Sequence, residues 1–155
     1  MRGVADDLVV VAAPDLTPDL PDGVRVAHDA EGGGGPLIGV LAGLSAARHG
    51  TVLVVGGDMP WARADVLVLL IVSIEHGHDS AALEFDGRTQ QLPLALRRDV
   101  ALGVVTRLVE AGERRLGALL DGSSVIVIAE GDWRTLDPDA WTIRDVDTRD
   151  DLPPD

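Results

Sequence analysis

Uninterrupted apolar runs are the clearest pattern in the chain. Residues 8–13 (Leu-Val-Val-Val-Ala-Ala) stop at Pro14, residues 51–55 end in Gly56-Gly57, and residues 125–129 lie between Ser124 and Glu130. Such β-branched runs without polar alternation read as strands covered on both faces, the habit of parallel sheets, and residues 8–13 as a central strand. Val24-Arg25-Val26-Ala27-His28 is a further short strand after a Pro- and Asp-rich connection. Residues 37–49, 62–76 and 99–120 carry apolar side chains at helical spacing. Pro36 suits the first helical position and Gly50 and Gly77 mark ends, while Gly112 is placed to split the last helix in two. Residues 80–85 and 92–96 flank the turn signal Asp86-Gly87, with residues 88–91 lengthening any hairpin. Strands alternating with helices at these intervals predict βαβ units in a three-layer α/β fold with a mainly parallel sheet.

Composition narrows the picture. A chain of 155 residues is one domain's worth, so residues 1–155 are read as a single domain. With 26 acidic against 13 basic residues the net charge is −13, which argues against a protein that coats nucleic acid or anionic lipid. All the basic residues are Arg; Lys, Asn, Tyr and Cys are absent, which removes amine chemistry, thiolate zinc sites and cysteine nucleophiles. Neither a signal peptide nor an apolar run approaching the roughly 20 residues of a membrane helix is present, so the expectation is a soluble, cytoplasmic protein.

Candidate chemistry collects at strand ends. Asp58 follows the strand 51–55 in Gly56-Gly57-Asp58-Met59-Pro60, where open α/β sheets place their ligands. A carboxylate there suits Mg²⁺, which takes one or two carboxylates plus substrate phosphates; in the plainer reading it bonds turn amides. Asp29 is a second strand-end acid, followed by Gly32-Gly33-Gly34-Gly35-Pro36, where loop amides and a helix start can face an anion or a base. This is neither GxGxxG nor a P-loop. Asp145 and Asp147 alternate in an extended segment and either share a cation or form a solvated turn before a helix capped by Thr148. His28, His49, His76 and His78 show no HExxH-type pairing, Ser123-Ser124 has no nucleophile-elbow context, and Arg97-Arg98 and Arg114-Arg115 read as local ion-pair formers.

In order, these pieces resemble the MobA-like molybdenum cofactor guanylyltransferases. The resemblance rests on the strand at 8–12, Asp29 with Gly35-Pro36-Leu37-Ile38-Gly39, Gly57-Asp58-Met59-Pro60-Trp61, Gln91-Leu92-Pro93-Leu94, Ala111-Gly112-Glu113-Arg114-Arg115 and Asp145-Val146-Asp147-Thr148-Arg149-Asp150-Asp151-Leu152. It implies a Rossmann-like nucleotidyltransferase fold using GTP and Mg²⁺. The terminal phosphate of molybdopterin, or of its molybdenum form, would attack the α-phosphate to give the guanine dinucleotide cofactor and pyrophosphate. Carried over by position, Asp58 holds Mg²⁺ and the triphosphate as the catalytic carboxylate and Asp29 contacts guanosine. Gly35 and Pro36 shape that wall, while Asp145 and Asp147 face the pterin or a second metal. Phosphoryl transfer depends on positioning and charge neutralisation, which agrees with a metal-holding acid as the central residue.

The sequence departs from the family pattern at Ala12, often Asn in relatives, at Asp145 and Asp147, which replace Asn, and at Arg149, which replaces Pro. The family's first strand with its glycine-rich phosphate signature has no counterpart, so the expectation is that fold without its first strand and phosphate loop. Other readings are a catalytically impaired remnant that binds a partner, such as a molybdopterin-handling protein, and a related transferase using CTP or another acceptor.

Overall fold

Val10 of β1 (Leu8–Ala12) stands opposite Val26 of β2 (Val24–His28), and Ala12 opposite His28, in a parallel two-stranded ladder. The architecture is that of a computed structural model, which describes residues 3–29, 34–75, 77–146 and 148. Helix α1 (Pro36–Ala46) crosses back over this ladder, with Gly39 and Gly43 against Val11, to β3 (Thr51–Val54). Helix α2 (Ala64–Ile74) follows, burying Val66, Leu67, Leu70 and Ile74 against the sheet while Val68 and Val72 stay exposed, and Gly77 ends it with φ 100°. Next come β4 (Ser80–Phe85), β5 (Arg88–Arg97), α3 (Arg98–Glu110), α4 (Gly117–Asp121), β6 (Val125–Ile128) and α5 (Glu130–Trp133), then a 3-10 turn at Trp141–Ile143.

The larger sheet has the order β3-β5-β4-β6, with β4 and β6 parallel and β5 antiparallel to both β3 and β4. Period-two alternation divides its side chains between two cores. Ala82, Leu94 and Leu96 meet Leu37 and Leu44 of α1, Val105 of α3 and Leu119 of α4. Ala81, Leu83 and Ala95 meet Leu67 and Leu70 of α2 and the buried indole of Trp133. Helices therefore cover both faces, the three-layer α/β arrangement expected. Each of these buried leucines contributes about 1.5–3 kcal/mol by leaving water.

Some expectations change. Among the described residues β1 pairs only with β2, so it is not flanked on both sides, and Val10 and Val26 are 36% and 40% exposed. The strand predicted at 92–96 begins at Arg88, pairing Phe85 with Arg88, so the hairpin turn is only Asp86-Gly87. Both turn residues have positive φ, 50° and 68°, the type I′ geometry that matches strand twist. The helical stretch 99–120 is split at Gly112, φ 84°, as that glycine's place suggested, into α3 and α4. No helix among the described residues is long and apolar enough to cross a membrane.

Candidate functional site

Strand direction gathers the candidate acids. His49 Nε2 lies 3.1 Å from Asp6 Oδ1, and the Arg48 N–H donates to Asp7 Oδ2 at 3.2 Å, so β3 starts beside the start of β1. Arg25 ties the same end together, bonding Asp7 at 2.6 Å and the Ala46 carbonyl at 2.8 Å, and its guanidinium holds the Asp7 carboxyl below the usual range. The carboxyl ends of β1, β2 and β3 therefore share the opposite end of the molecule. Asp29 lies there, its N–H donating to the Ala12 carbonyl at 3.1 Å, as do Asp58 and the start of α1 at Gly35-Pro36.

Asp58 is exposed at the tip of the turn after β3. The Met59 N–H closes that turn on the Gly56 carbonyl at 3.2 Å. The Asp58 carboxylate folds back so that a Cβ on Gly56 would lie 2.3 Å from Oδ1, and only glycine leaves it that place. The distant segment before the C-terminus closes on the same turn: the Val146 N–H donates to the Asp58 carbonyl at 2.8 Å, which brings exposed Asp145 alongside. Asp147 and His76 lie outside the described residues, as do Gly32 and Gly33 and the helix predicted after Thr148.

A lattice of contacts that the sequence reading missed holds this junction. Buried Asp137 accepts the Thr142 N–H at 2.7 Å, and Thr142 Oγ1 accepts the Arg63 N–H at 3.1 Å at the start of α2. Trp61 meets Trp141 edge to face at 5.3 Å, and the Arg144 guanidinium lies 4.2 Å over the Trp141 ring. The available signal was scarcity: in a chain with three Trp and one Phe, two of the indoles stand at the ends of the acidic motifs.

The α1 start is engaged by protein. Gly35 has φ 93°, and a Cβ there would meet Arg114 Cβ at 3.1 Å and its carbonyl at 3.2 Å. The Leu37 N–H donates to that carbonyl at 3.2 Å and the Ile38 N–H to Gly35 O at 3.1 Å, so neither amide is left for an anion. Glu113 fixes the facing segment. Its carboxylate accepts the Arg114 and Arg115 N–H groups at 2.8 and 2.9 Å and Arg115 Nη2 at 2.7 Å, which holds its pKa down at about 2. Arg98 likewise bonds Asp99 and the Leu44 carbonyl, so both arginine pairs make local contacts.

Among the described residues no three His, Asp or Glu side chains gather into a metal cage. A hard cation shared with substrate oxygens takes only one or two carboxylates, and here Asp58 is exposed while the N–H of Val146, the residue after Asp145, bonds the Asp58 backbone carbonyl.

Residues 1–126 match the family described as MobA-like NTP transferase domain. The chain is 33% identical over 147 residues to a probable molybdenum cofactor guanylyltransferase of Chloroflexus aggregans, covering 94% of this chain and 69% of that protein. It is 34% identical over 137 residues to the molybdenum cofactor guanylyltransferase of Pseudomonas putida, covering 86% and 71%. A probable molybdenum cofactor guanylyltransferase of Mycobacterium bovis is 37% identical over 131 residues, and the chain spans 64% of its length. Among solved structures, molybdopterin-guanine dinucleotide biosynthesis protein A from Archaeoglobus fulgidus superposes with TM-score 0.70 at 23% identity, over 82% of this chain and 64% of that one. The 2-C-methyl-D-erythritol 4-phosphate cytidylyltransferase of Thermus thermophilus gives 0.71 at 17%, over 95% and 79%. The chain thus belongs to the MobA-like NTP transferase domain family of nucleotidyltransferases.

Proposed function

We propose that this protein works in molybdenum cofactor biosynthesis, transferring GMP from GTP to molybdopterin or its molybdenum form and releasing pyrophosphate. The observation that supports the reading is the Val146–Asp58 hydrogen bond, which joins the strand-end acid to the Asp145 segment and so sets the two acidic motifs side by side. In the reaction an acceptor phosphate oxygen forms a bond to the α-phosphorus as the bond from that phosphorus to the bridging β-phosphate oxygen breaks, and pyrophosphate leaves with that electron pair. Asp58 is assigned the divalent ion and the triphosphate, Asp29 the guanosine, and Gly35 with Pro36 the wall beside it. Asp145 and Asp147 are assigned the pterin side. Mg²⁺, when bound, supplies neutralisation of the phosphate charge, which a chain of net charge −13 needs at this position.

Binding of GTP with Mg²⁺ tests the reading by calorimetry. GTP is expected to bind in preference to CTP, and Asp58→Asn to weaken binding by about tenfold or more, about 1.4 kcal/mol. Preference for CTP would move the assignment to a cytidylyl transfer, a reading favoured by the equally close fold of the Thermus cytidylyltransferase. Absence of any nucleotide binding would favour a remnant that serves as a binding module, for example toward a molybdopterin-handling protein. A cytoplasmic setting belongs to the same proposal.

A further inference from the structure

Arginine is the only permanently charged basic side chain here, against twice as many acids, so an arginine held in place by neutral groups stands out. Arg25, Arg98, Arg115 and Arg134 are fixed by carboxylates, those of Asp7, Asp99, Glu113 and Glu130. Arg144 is fixed differently. Its Nη2 donates to the Asp139 carbonyl at 2.9 Å and its guanidinium lies 4.2 Å over the Trp141 ring, with no carboxylate paired to it among the described residues. The N–H donors of a guanidinium lie in its own plane, so a ring against one face fixes the group without using them. One donor goes to Asp139, and the residue is exposed to solvent.

The platform under Arg144 is itself anchored to the Asp58 turn. Trp141 meets Trp61, of the same Gly57–Trp61 motif as Asp58, and Thr142 is tied to buried Asp137 and to the start of α2. Just beyond Arg144, the Val146 N–H reaches the Asp58 carbonyl at 2.8 Å. An ordered cation without a carboxylate partner therefore stands at the margin of the acidic site, on the segment that carries Asp145. Charge gives that position a use. Asp58 and Asp145 repel any anion that arrives without a metal; a nucleoside triphosphate brings its own divalent ion, whereas a phosphomonoester needs a cation from the protein. The fork of a guanidinium matches phosphate oxygens, and stacking on an indole lessens the entropy lost when it binds them.

We infer that Arg144, laid flat on Trp141, is the residue that recognises the phosphate of the acceptor substrate. Its free N–H groups donate to phosphate oxygens other than the attacking one, while Asp58 keeps the divalent ion and the nucleotide. Trp141 acts through Arg144 as a positioning residue, holding the guanidinium in its plane. That the bound anion is the phosphomonoester of a pterin rests on the transfer reaction proposed above; that Arg144 takes an anion rests on its own contacts.

The test is calorimetry of the 155-residue protein with two probes, 6-hydroxymethylpterin and its phosphate monoester, in the absence of nucleotide. The parent protein is expected to bind the ester about tenfold or more tighter than the alcohol. Arg144→Gln keeps an N–H donor but not the charge and is expected to abolish that preference, whereas Arg144→Lys keeps part of it. Arg107→Gln, at an exposed position of α3, is expected to keep all of it. A parent that binds the ester no better than the alcohol overturns the inference, as does a preference that survives Arg144→Gln or is lost in Arg107→Gln. Equal loss in Arg144→Lys and Arg144→Gln would place the effect in packing on Trp141 and also count against it. Binding of GTP with Mg²⁺ is measured apart, so the transfer reading can fail while the phosphate preference stands, and the reverse.

Discussion

Gly56 is the residue on which the position of the Asp58 carboxylate depends. A methyl group 2.3 Å from Oδ1 and 3.2 Å from the Met59 side chain leaves no room for the folded-back acid. Gly56→Ala is therefore expected to leave the circular dichroism spectrum unchanged while weakening Mg²⁺-dependent GTP binding by about tenfold, read by calorimetry beside the parent protein. Glu113 makes a second residue-scale prediction. Its folded pKa of about 2 lies below the ordinary 4.5, so the stabilisation it gives is fully present above pH 4.5, declines as the pH falls below that value and is gone once about 2 is passed. The protection factor of the Leu37 amide, its exchange relative to the intrinsic rate at each pH, should fall across that window, and Glu113→Gln should flatten the dependence. Asp29, Asp58 and Asp145 were all legible as candidates, because an acid after an apolar run or in a short alternating segment stands out in sequence. The engagement of the Leu37 amide at the α1 start was not, because its acceptor is the Arg114 carbonyl, far along the chain.

At the scale of elements, local chemistry placed most boundaries. Pro36 at the start of α1, Gly77 at the end of α2 and the positive φ of Gly112 sit where short-range rules put them. The β4–β5 hairpin was misjudged because Arg88-Thr89-Gln90-Gln91 reads as polar loop, yet it continues the strand: Thr89 pairs with Glu84 and Arg88 with Phe85. The α5 turn and the 3-10 turn carry no periodic signal in sequence. Their stability comes from partners elsewhere, the Trp133 indole N–H donating to the Glu84 carbonyl at 2.8 Å and Thr142 bonding both Asp137 and Arg63. Thr142→Val keeps the volume but strands the Arg63 N–H at the start of α2, which should cost about 1–3 kcal/mol in denaturant unfolding. The same variant should alter Trp141 fluorescence, because the 3-10 turn that carries the indole loses its tie to α2.

For the molecule as a whole, the divided sheet predicts divided stability. β1 and β2 form a two-stranded ladder covered by α1 on one face, while β4 has strand partners on both sides and helices on both faces. Native-state hydrogen exchange should find β1–β2 opening at lower free energy than β4–β5, and equal protection would show the two sheets to be one cooperative unit. The sequence alone determined the alternation of strands and helices, the apolar strand cores and the acids at strand ends. These follow from side-chain period, β-branching and turn chemistry, all of which act over a few neighbouring residues. It also carried the family resemblance, since the motifs keep their order along the chain. Only the tertiary structure decided that β5 runs against its neighbours, that β1 and β3 start side by side, and that the Asp145 segment closes on Asp58. Those outcomes depend on which distant backbone groups find each other as hydrogen-bond partners, and no window of neighbouring residues contains that information.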